Sequence, residues 1–442
     1  MSGSLVPTIV ARADAVVDAV DPSVRTRVGL HLLDALGCLV AGVTHPSVAP
    51  LRRFADLVDE AGPVPVLGDA SPRSLRTAVL LESTYLHLDE FDAIHSAGAV
   101  VPPAVVVPAA LAVAARVGSS GRDLADALLG GYEVVVEAGL RLGGPGLYAY
   151  RWWPTAALGA LGAAWATARL LGLDEAGRRQ AVALAAHASG GPIGGGALGE
   201  GHYLAGGRAA ACGVEAGYQA AAGLRGDVTL LDEGLPGVAV PPTPPTGSST
   251  PHLLGCAVKR YPFARPLHAA LAALDHLSAE GTPVAKARRV EVHLPAPLCR
   301  FVTDTRSPQG PAEAAASATV AVAAHVAGRT RDVTFIRAAL SPAAPPVELV
   351  PAEDLTEDLP ARWSARVEVY LPDAEPVRAY VGDAPSLDDG REIVEKYQRN
   401  VGAAMPGPAT ELIELCAGLD ELSSAARLRE VLLATVTPTT IG

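Results

Sequence analysis

Between His87 and His95 the chain places five ionisable side chains, His87, Asp89, Glu90, Asp92 and His95, within nine residues. Val101-Pro102-Pro103 and the apolar run Ala104 to Ala114 follow. Carboxylates and imidazoles at this density, set against long Ala/Val stretches, are costly to bury and so point to a polar site cut into an apolar core. The chemistry they suit is proton transfer, in which one group takes or gives a proton and nearby cations hold the charge that develops. A plainer alternative is a solvated helix end. A metal site from His87, Glu90, Asp92 and His95 is a third reading. On a continuous helix, however, Glu90 and Asp92 would point about 160° apart and could not share one ion, so no metal is expected. His87 reads as a histidine packed between helices.

The elements that must position these groups are mostly helical. From Ser23 to about Arg225 apolar residues recur at helical spacing, with breaks at Gly143-Gly144-Pro145-Gly146 and at Gly190 to Gly196. The latter lacks the Lys-Ser/Thr of a phosphate loop. A Pro/Thr/Ser-rich passage, Val240 to His252, suggests a boundary. The period then changes. Arg289 to Leu294, Arg366 to Leu371 and Val377 to Val381 alternate polar and apolar, and the last two flank Pro372 to Pro376 as a hairpin would. Helices are expected over Leu267 to Ser278 and Ala312 to Ala327, and again from about Arg391 to Val436. The fold class expected is mainly α: a large all-helical domain from both chain ends, residues 1–254 and 391–442, with an α+β lid domain, residues 255–390, inserted between them. Ligands would bind in the cleft between the two.

Composition sets bounds. The 442 residues are 49% hydrophobic and only 4% aromatic, enough for a large core of close-packed helices. A net charge of −12 repels phosphate backbones, so no nucleic-acid partner is expected. Cys38, Cys212, Cys256, Cys299 and Cys416 are odd in number and widely spaced, as reduced thiols in a cytoplasmic protein would be. Arg12, Asp14 and Asp18 interrupt the N-terminal apolar stretch, unlike a signal peptide. Pro102, Pro103 and Pro108 break the longest apolar run, so no membrane partner is expected.

The pattern His-x-x-Glu-x-Asp-x-x-His, followed by Val-x-Pro-Ala, resembles the signature of the MmgE/PrpD superfamily of 2-methylcitrate dehydratases, cis-aconitate decarboxylases and iminodisuccinate epimerases. Other landmarks fall in the family's order: Leu33-Asp34-Ala35-Leu36-Gly37, Trp153-Pro154-Thr155, Leu170 to Asp174, Gly207-Arg208-Ala209-Ala210, Lys259-Arg260-Tyr261-Pro262 and Lys396-Tyr397. The resemblance implies the same two-part architecture, a homodimer, and proton transfer beside a carboxylate without an organic cofactor. It places the family's acidic residues on Glu90 and Asp92, its motif-closing histidine on His95, and its Lys-x-Tyr-Pro lysine on Lys259.

The departures are as informative. Ala93, Val101, Trp153, His202, Ala264 and Val320 stand where the family carries other polar groups, which leaves a drier, less cationic cavity. The resemblance therefore implies a lyase or isomerase acting on a small-molecule substrate larger and less acidic than citrate-like acids, as in secondary-metabolite tailoring. Glu90, His202 and Lys259 are the expected catalytic group, with His202 as a proton shuttle titrating near neutrality. Asp92, His95, Val101, Trp153, Thr155, Tyr261, Arg265 and His268 are the expected substrate contacts. Two alternatives stay open: a non-catalytic or shape-directed binding or cyclase protein, and Lys259 and Arg265 as ordinary surface charges.

Overall fold

The computed structural model describes residues 4–58, 61–188, 190–193, 198–238, 249–402 and 406–437. Most of the Val240 to His252 passage, and part of the Gly190 to Gly196 loop, lie outside them. The fold is mostly helical, with one small four-stranded sheet.

The helix Pro22–Val43 is the axis of the helical part. Asp21 caps it by accepting from the Ser23 amide, Pro22 pre-sets its first turn, and every residue from His31 to Val43 is buried. Among the described residues it alone is long and apolar enough to cross a membrane, and 83% of its most apolar window is buried inside the fold. Leu75–His87 packs on it so closely that a Cβ at Gly42 would lie 1.9 Å from the Tyr85 carbonyl oxygen. Glu200–Ala221 packs on Leu75–His87 in the same way, since a Cβ at Gly207 would lie 2.5 Å from the Leu80 carbonyl oxygen. These two glycines are required by close approach, and together they bring the ends of three helices to one place.

The end of the chain returns to its beginning. Gly390–Val401 packs along Pro22–Val43, and Ala426–Ala434 packs against Pro102–Val117. Two buried ion pairs fasten that return. Lys396 Nζ lies 2.7 Å from Asp34 Oδ1, and Arg429 grips Glu82 with two bonds of 2.7 and 2.6 Å.

Strands β1 (Arg289–Pro295), β2 (Val347–Ala352), β3 (Ala365–Tyr370) and β4 (Val377–Val381) lie in the order β2-β1-β3-β4. Only β1 and β2 are parallel; Val290 faces Val369 and Val367 faces Ala379 across the antiparallel pairs. Those apolar residues face the helix Pro266–Ala279, while Glu291, His293, Glu368 and Tyr370 occupy the other face. The expected hairpin is present. Strand β2 was not among the expected strands; Pro345, Pro346 and Pro351 flank Val347 to Val350, and an edge strand is where such prolines are tolerated. The expected helix from Ala312 to Ala327 is two, Pro311–Ala315 and Ala318–Val326, because Ser317 leaves the helix to cap the Val320 amide.

Replacing Arg429 by Met would leave Glu82 buried without its cation. That change is expected to lower stability by about 3–5 kcal/mol in urea denaturation, and converting both residues to Leu should recover most of it. A single variant as stable as the parent would show that other contacts hold the chain end in place.

Candidate active site

Leu75–His87 begins with Ser74 capping the Thr77 amide and stops at His87. The chain does not continue as helix through the acidic residues: Glu90 has a left-handed backbone, φ +51°. This overturns the helical geometry on which the metal reading was dismissed. Asp89 turns away to pair with Arg337, at 2.7 and 2.5 Å, and is absorbed in holding the turn to the helix Val333–Ala338. Two lysines clasp the turn itself. Lys259 Nζ donates to the Glu90 carbonyl at 2.8 Å and to Glu90 Oε2 at 3.1 Å. Lys396 Nζ donates to the next carbonyl, Phe91, at 2.6 Å and sits 4.0 Å from that ring's centroid. Both lysines are fully buried, so the surface-charge reading of Lys259 is wrong.

Released from helical geometry, Asp92 folds back on His87, with Oδ1 2.8 Å from Nδ1. His87 Nε2 then faces Glu90 Oε1 at 3.4 Å, and His202 Nε2 lies 3.8 Å from the same oxygen. Burial alone would push the His87 pKa down, but the Asp92 and Glu90 carboxylates outweigh it and raise the group above its ordinary 6.5. Burial likewise works to raise Glu90, and His87, Lys259 and His202 overcome it and hold the carboxyl below its ordinary 4.5. His87 is therefore buried between two carboxylates that favour its charged form, so it pairs with ionised groups as well as packing between helices. His202 behaves oppositely. Burial lowers it to about 3, so it is a neutral imidazole at physiological pH and does not titrate near neutrality as expected.

His87 and Glu90 line a closed cavity of about 10 Å³, room for roughly one water. Ile94, Ala99, Val101, Trp153 and Tyr148 complete one side; Arg265, Pro266, Phe301 and Trp363, all from the 255–390 section, form the other. Trp153 stacks on His87 with centroids 5.4 Å apart and planes 16° apart, and it also covers His202 at 3.8 Å. Arg265 is only 3% exposed. Its Nη2 donates to Asp383 Oδ1 at 2.9 Å and to the Ala384 carbonyl at 3.3 Å, while Nε and Nη1 make no hydrogen bond among the described residues. Burial lowers its pKa against the pull of Asp383.

The anticipated residues thus divide into three groups. Glu90, Val101, Trp153 and Arg265 line the cavity. Asp92, Lys259, His202 and Thr155 stand behind them, Thr155 by accepting the Val101 amide at 3.1 Å. His95, Tyr261 and His268 point elsewhere: His95 accepts the Gly98 amide and meets the His252 ring, Tyr261 donates to Asp275, and His268 bonds the Phe263 carbonyl. The sequence reading missed His87 as a working group, and it missed Tyr148, Phe301 and Trp363. The one signal for the aromatics was rarity, since two of the four tryptophans face this cavity.

His87 Nε2, Glu90 Oε1 and His202 Nε2 lie within 4.8 Å of one another, a donor set a transition metal could use. The imidazolium proton and the Lys259 ammonium compete for the same carboxylate. A second such set, Glu291, His293 and Glu368, lies on the sheet face opposite Pro266–Ala279, where Arg289, Arg366 and Arg378 already pair with the carboxylates.

A mostly helical chain whose helix ends enclose a buried histidine between two carboxylates brings together groups of the kind acid–base chemistry uses. It belongs to the MmgE/PrpD family, whose N-terminal domain matches residues 12–240. The cis-aconitate decarboxylase-like protein oryM of Aspergillus oryzae is 29% identical over 168 residues, 36% of this chain and 35% of that protein. The chain thus spans about a third of that relative's length.

The raised His87 pKa contributes stability that is complete below its unfolded value and is lost as pH rises through the folded one. The depressed Glu90 pKa contributes stability present above its unfolded value and lost as pH falls through the folded one. Histidine ¹H–¹⁵N spectra recorded against pH should accordingly show one ring, absent in His87→Asn, that titrates above the ordinary 6.5. If every histidine titrates at or below that value, the stabilisation of the charged ring by Asp92 and Glu90 is refuted.

Proposed function

We propose that the protein is a cofactor-independent lyase or isomerase that protonates a carbanion or enolate formed next to a carboxylate. The observation that carries this reading is the juxtaposition of His87 Nε2, 3.4 Å from Glu90 Oε1, with a buried guanidinium at Arg265 across one closed, largely apolar cavity. Membership of a dehydratase and decarboxylase family, and the likeness to a cis-aconitate decarboxylase-like protein, support the reaction class.

In this reading Arg265 holds the carboxylate. In an isomerisation Glu90 removes the proton next to the carboxylate, leaving the C–H electron pair as the enolate, His87 delivers its proton to the enolate carbon, and the proton on Glu90 passes to the neutral His87 Nε2, 3.4 Å away. Lys259 and Asp92 are positioning residues, one fixing Glu90 and the other fixing the His87 tautomer and charge. His202, neutral and shielded by Trp153, relays between Glu90 and solvent when the site opens. Residues 255–390 act as the lid, and the protein works as a homodimer in the cytoplasm. Substrates are larger and less acidic than citrate-like acids: Val101, Trp153, Phe301 and Trp363 supply apolar area, whereas Arg265 is the one cation facing the cavity that no carboxylate of the proton-transfer group holds.

The test is solvent-deuterium incorporation, followed by mass spectrometry, into a panel of β-keto and α,β-unsaturated monocarboxylic acids with apolar tails. The parent should exchange or convert at least one. Glu90→Gln and His87→Asn should each lower that rate about 10²- to 10⁴-fold, and cis-aconitate and 2-methylcitrate should be left almost untouched. Rapid turnover of either tricarboxylic acid would overturn the substrate class. Binding without exchange, unaffected by both substitutions, would favour a shape-directed role on the same scaffold.

A further inference from the structure

The closed cavity has a neighbour. An open pocket of about 240 Å³ lies on its far side, lined by His95, Ala257, Arg265, Ala361, Asp383 and Ser386 among others. Among the described residues Arg265 is the one that lines both spaces. Elsewhere the partition is backbone tied to backbone. Ile94 and Ala257 exchange two hydrogen bonds, at 3.1 and 2.8 Å, and the Leu387 amide donates to the Val258 carbonyl at 3.0 Å. The partition can therefore yield most readily where it is a side chain, at the Arg265–Asp383 contact. Asp383 sits just beyond β4, and its side chain is 37% exposed.

From this arrangement we infer that Arg265 and Asp383 form a carboxylate-operated latch: the open pocket is the docking site for the substrate's carboxylate, which displaces Asp383 from Arg265 and opens the way to His87. The argument rests on guanidinium geometry. A carboxylate can bind it bidentately along two edges, Nε with Nη2 or Nη1 with Nη2, and both edges share Nη2. Asp383 holds Nη2, while Nε and Nη1 are buried and unpartnered. Nη2 carries two N–H groups, one held by half-exposed Asp383 and the other by the Ala384 carbonyl, so each edge has one N–H ready and displacing Asp383 completes one of them. An incoming carboxylate satisfies a buried donor that Asp383 leaves unmet, so exchange is favoured over simple addition. Asp383 and Asp388 in the same lining repel a second negative charge, which selects a monocarboxylate over a phosphate or a dicarboxylate.

The latch rests on the proton-transfer reading only in taking the inner cavity as the destination, and its test involves no turnover. The probes are 3-phenylpropionate and its amide, which share an apolar tail and differ in charge, with tryptophan fluorescence as readout because Trp153 and Trp363 line the inner cavity. The parent should bind the acid and discriminate against the amide. Asp383→Asn should tighten binding of the acid about fivefold, the scale of a half-exposed ion pair, and leave the amide unchanged. Without any ligand, the same variant should make the tryptophans more accessible to acrylamide. Arg265→Gln should erase the preference for acid over amide, and Asp383→Ser serves if the Asn variant does not fold. The latch is overturned if removing the Asp383 carboxylate leaves both acid affinity and acrylamide quenching at the parent's values, or if acid and amide respond alike.

Discussion

Two buried ammonium groups on two successive carbonyls hold this site together. Glu90 adopts a left-handed backbone that costs a non-glycine residue about 1–3 kcal/mol, and such a turn persists only when its surroundings over-determine it. Lys259 holds the Glu90 carbonyl and Lys396 the Phe91 carbonyl, so the turn cannot relax into a further turn of helix. Each ammonium must itself be compensated, because an isolated buried charge would not survive. Glu90 compensates one and Asp34 the other. The constraint thus reaches from the core helix Pro22–Val43, through the turn, to the start of the 255–390 section and to the last third of the chain. This is a physical reason for a helical body assembled from both chain ends: the turn needs a cation from each of two distant segments.

The same inventory bears on the charge of His87. Asp34, Glu90 and Asp92 bring three carboxylates into one buried neighbourhood; Lys259 and Lys396 bring two ammonium groups. That leaves more carboxylates than ammonium groups around the ring, which favours the protonated form of His87. Burial pushes the Asp34 carboxyl upward and Lys396 pulls it back, which is the balance expected of an ion pair with no water to share. Trp153 adds a π face over the imidazolium, a contact that favours the charged ring. In the resemblance a histidine stands at that position. Here the aromatic ring cannot exchange a proton, and the acid–base capacity of the cavity is concentrated in His87 and Glu90.

Much of the fold was legible because it depends on period. Helical spacing over residues 23–225 and strict alternation in β1, β3 and β4 are direct records of which faces meet a core. Strand β2 was not, since its prolines suit an edge that sequence alone cannot locate. At the site, residue types were legible and geometry was not. The cluster from His87 to His95 announced itself by its cost of burial, yet its use depended on one positive φ at Glu90, for which a glutamate gives no signal. Reading it as helix separated Glu90 from Asp92 and left His87 without a task; the observed turn makes the two carboxylates flank one imidazole. His202 failed in a different way. Its type suggested a titration near neutrality, but titration follows surroundings, and Trp153, Tyr203 and Phe301 surround it with aromatic rings.

The closed cavity also bears on the lost polar groups. Were the site merely a degenerate copy of a tricarboxylate site, a position that lost a histidine should leave wet space, because a side chain such as Val101 occupies less volume than the group it replaces. Instead the space is filled: Trp153, Tyr148, Phe301 and Trp363 close it to about 10 Å³, and the remaining polar atoms are concentrated on His87, Glu90 and Arg265. Aromatic walls of this kind exclude water and strengthen every remaining electrostatic interaction by lowering the local dielectric. An imidazolium and a guanidinium held facing such a space are costly to maintain and serve no packing purpose that an apolar residue would not serve better. Beside these aromatic walls, the proposed proton-transfer pair and Arg265 are the groups whose burial packing alone does not explain.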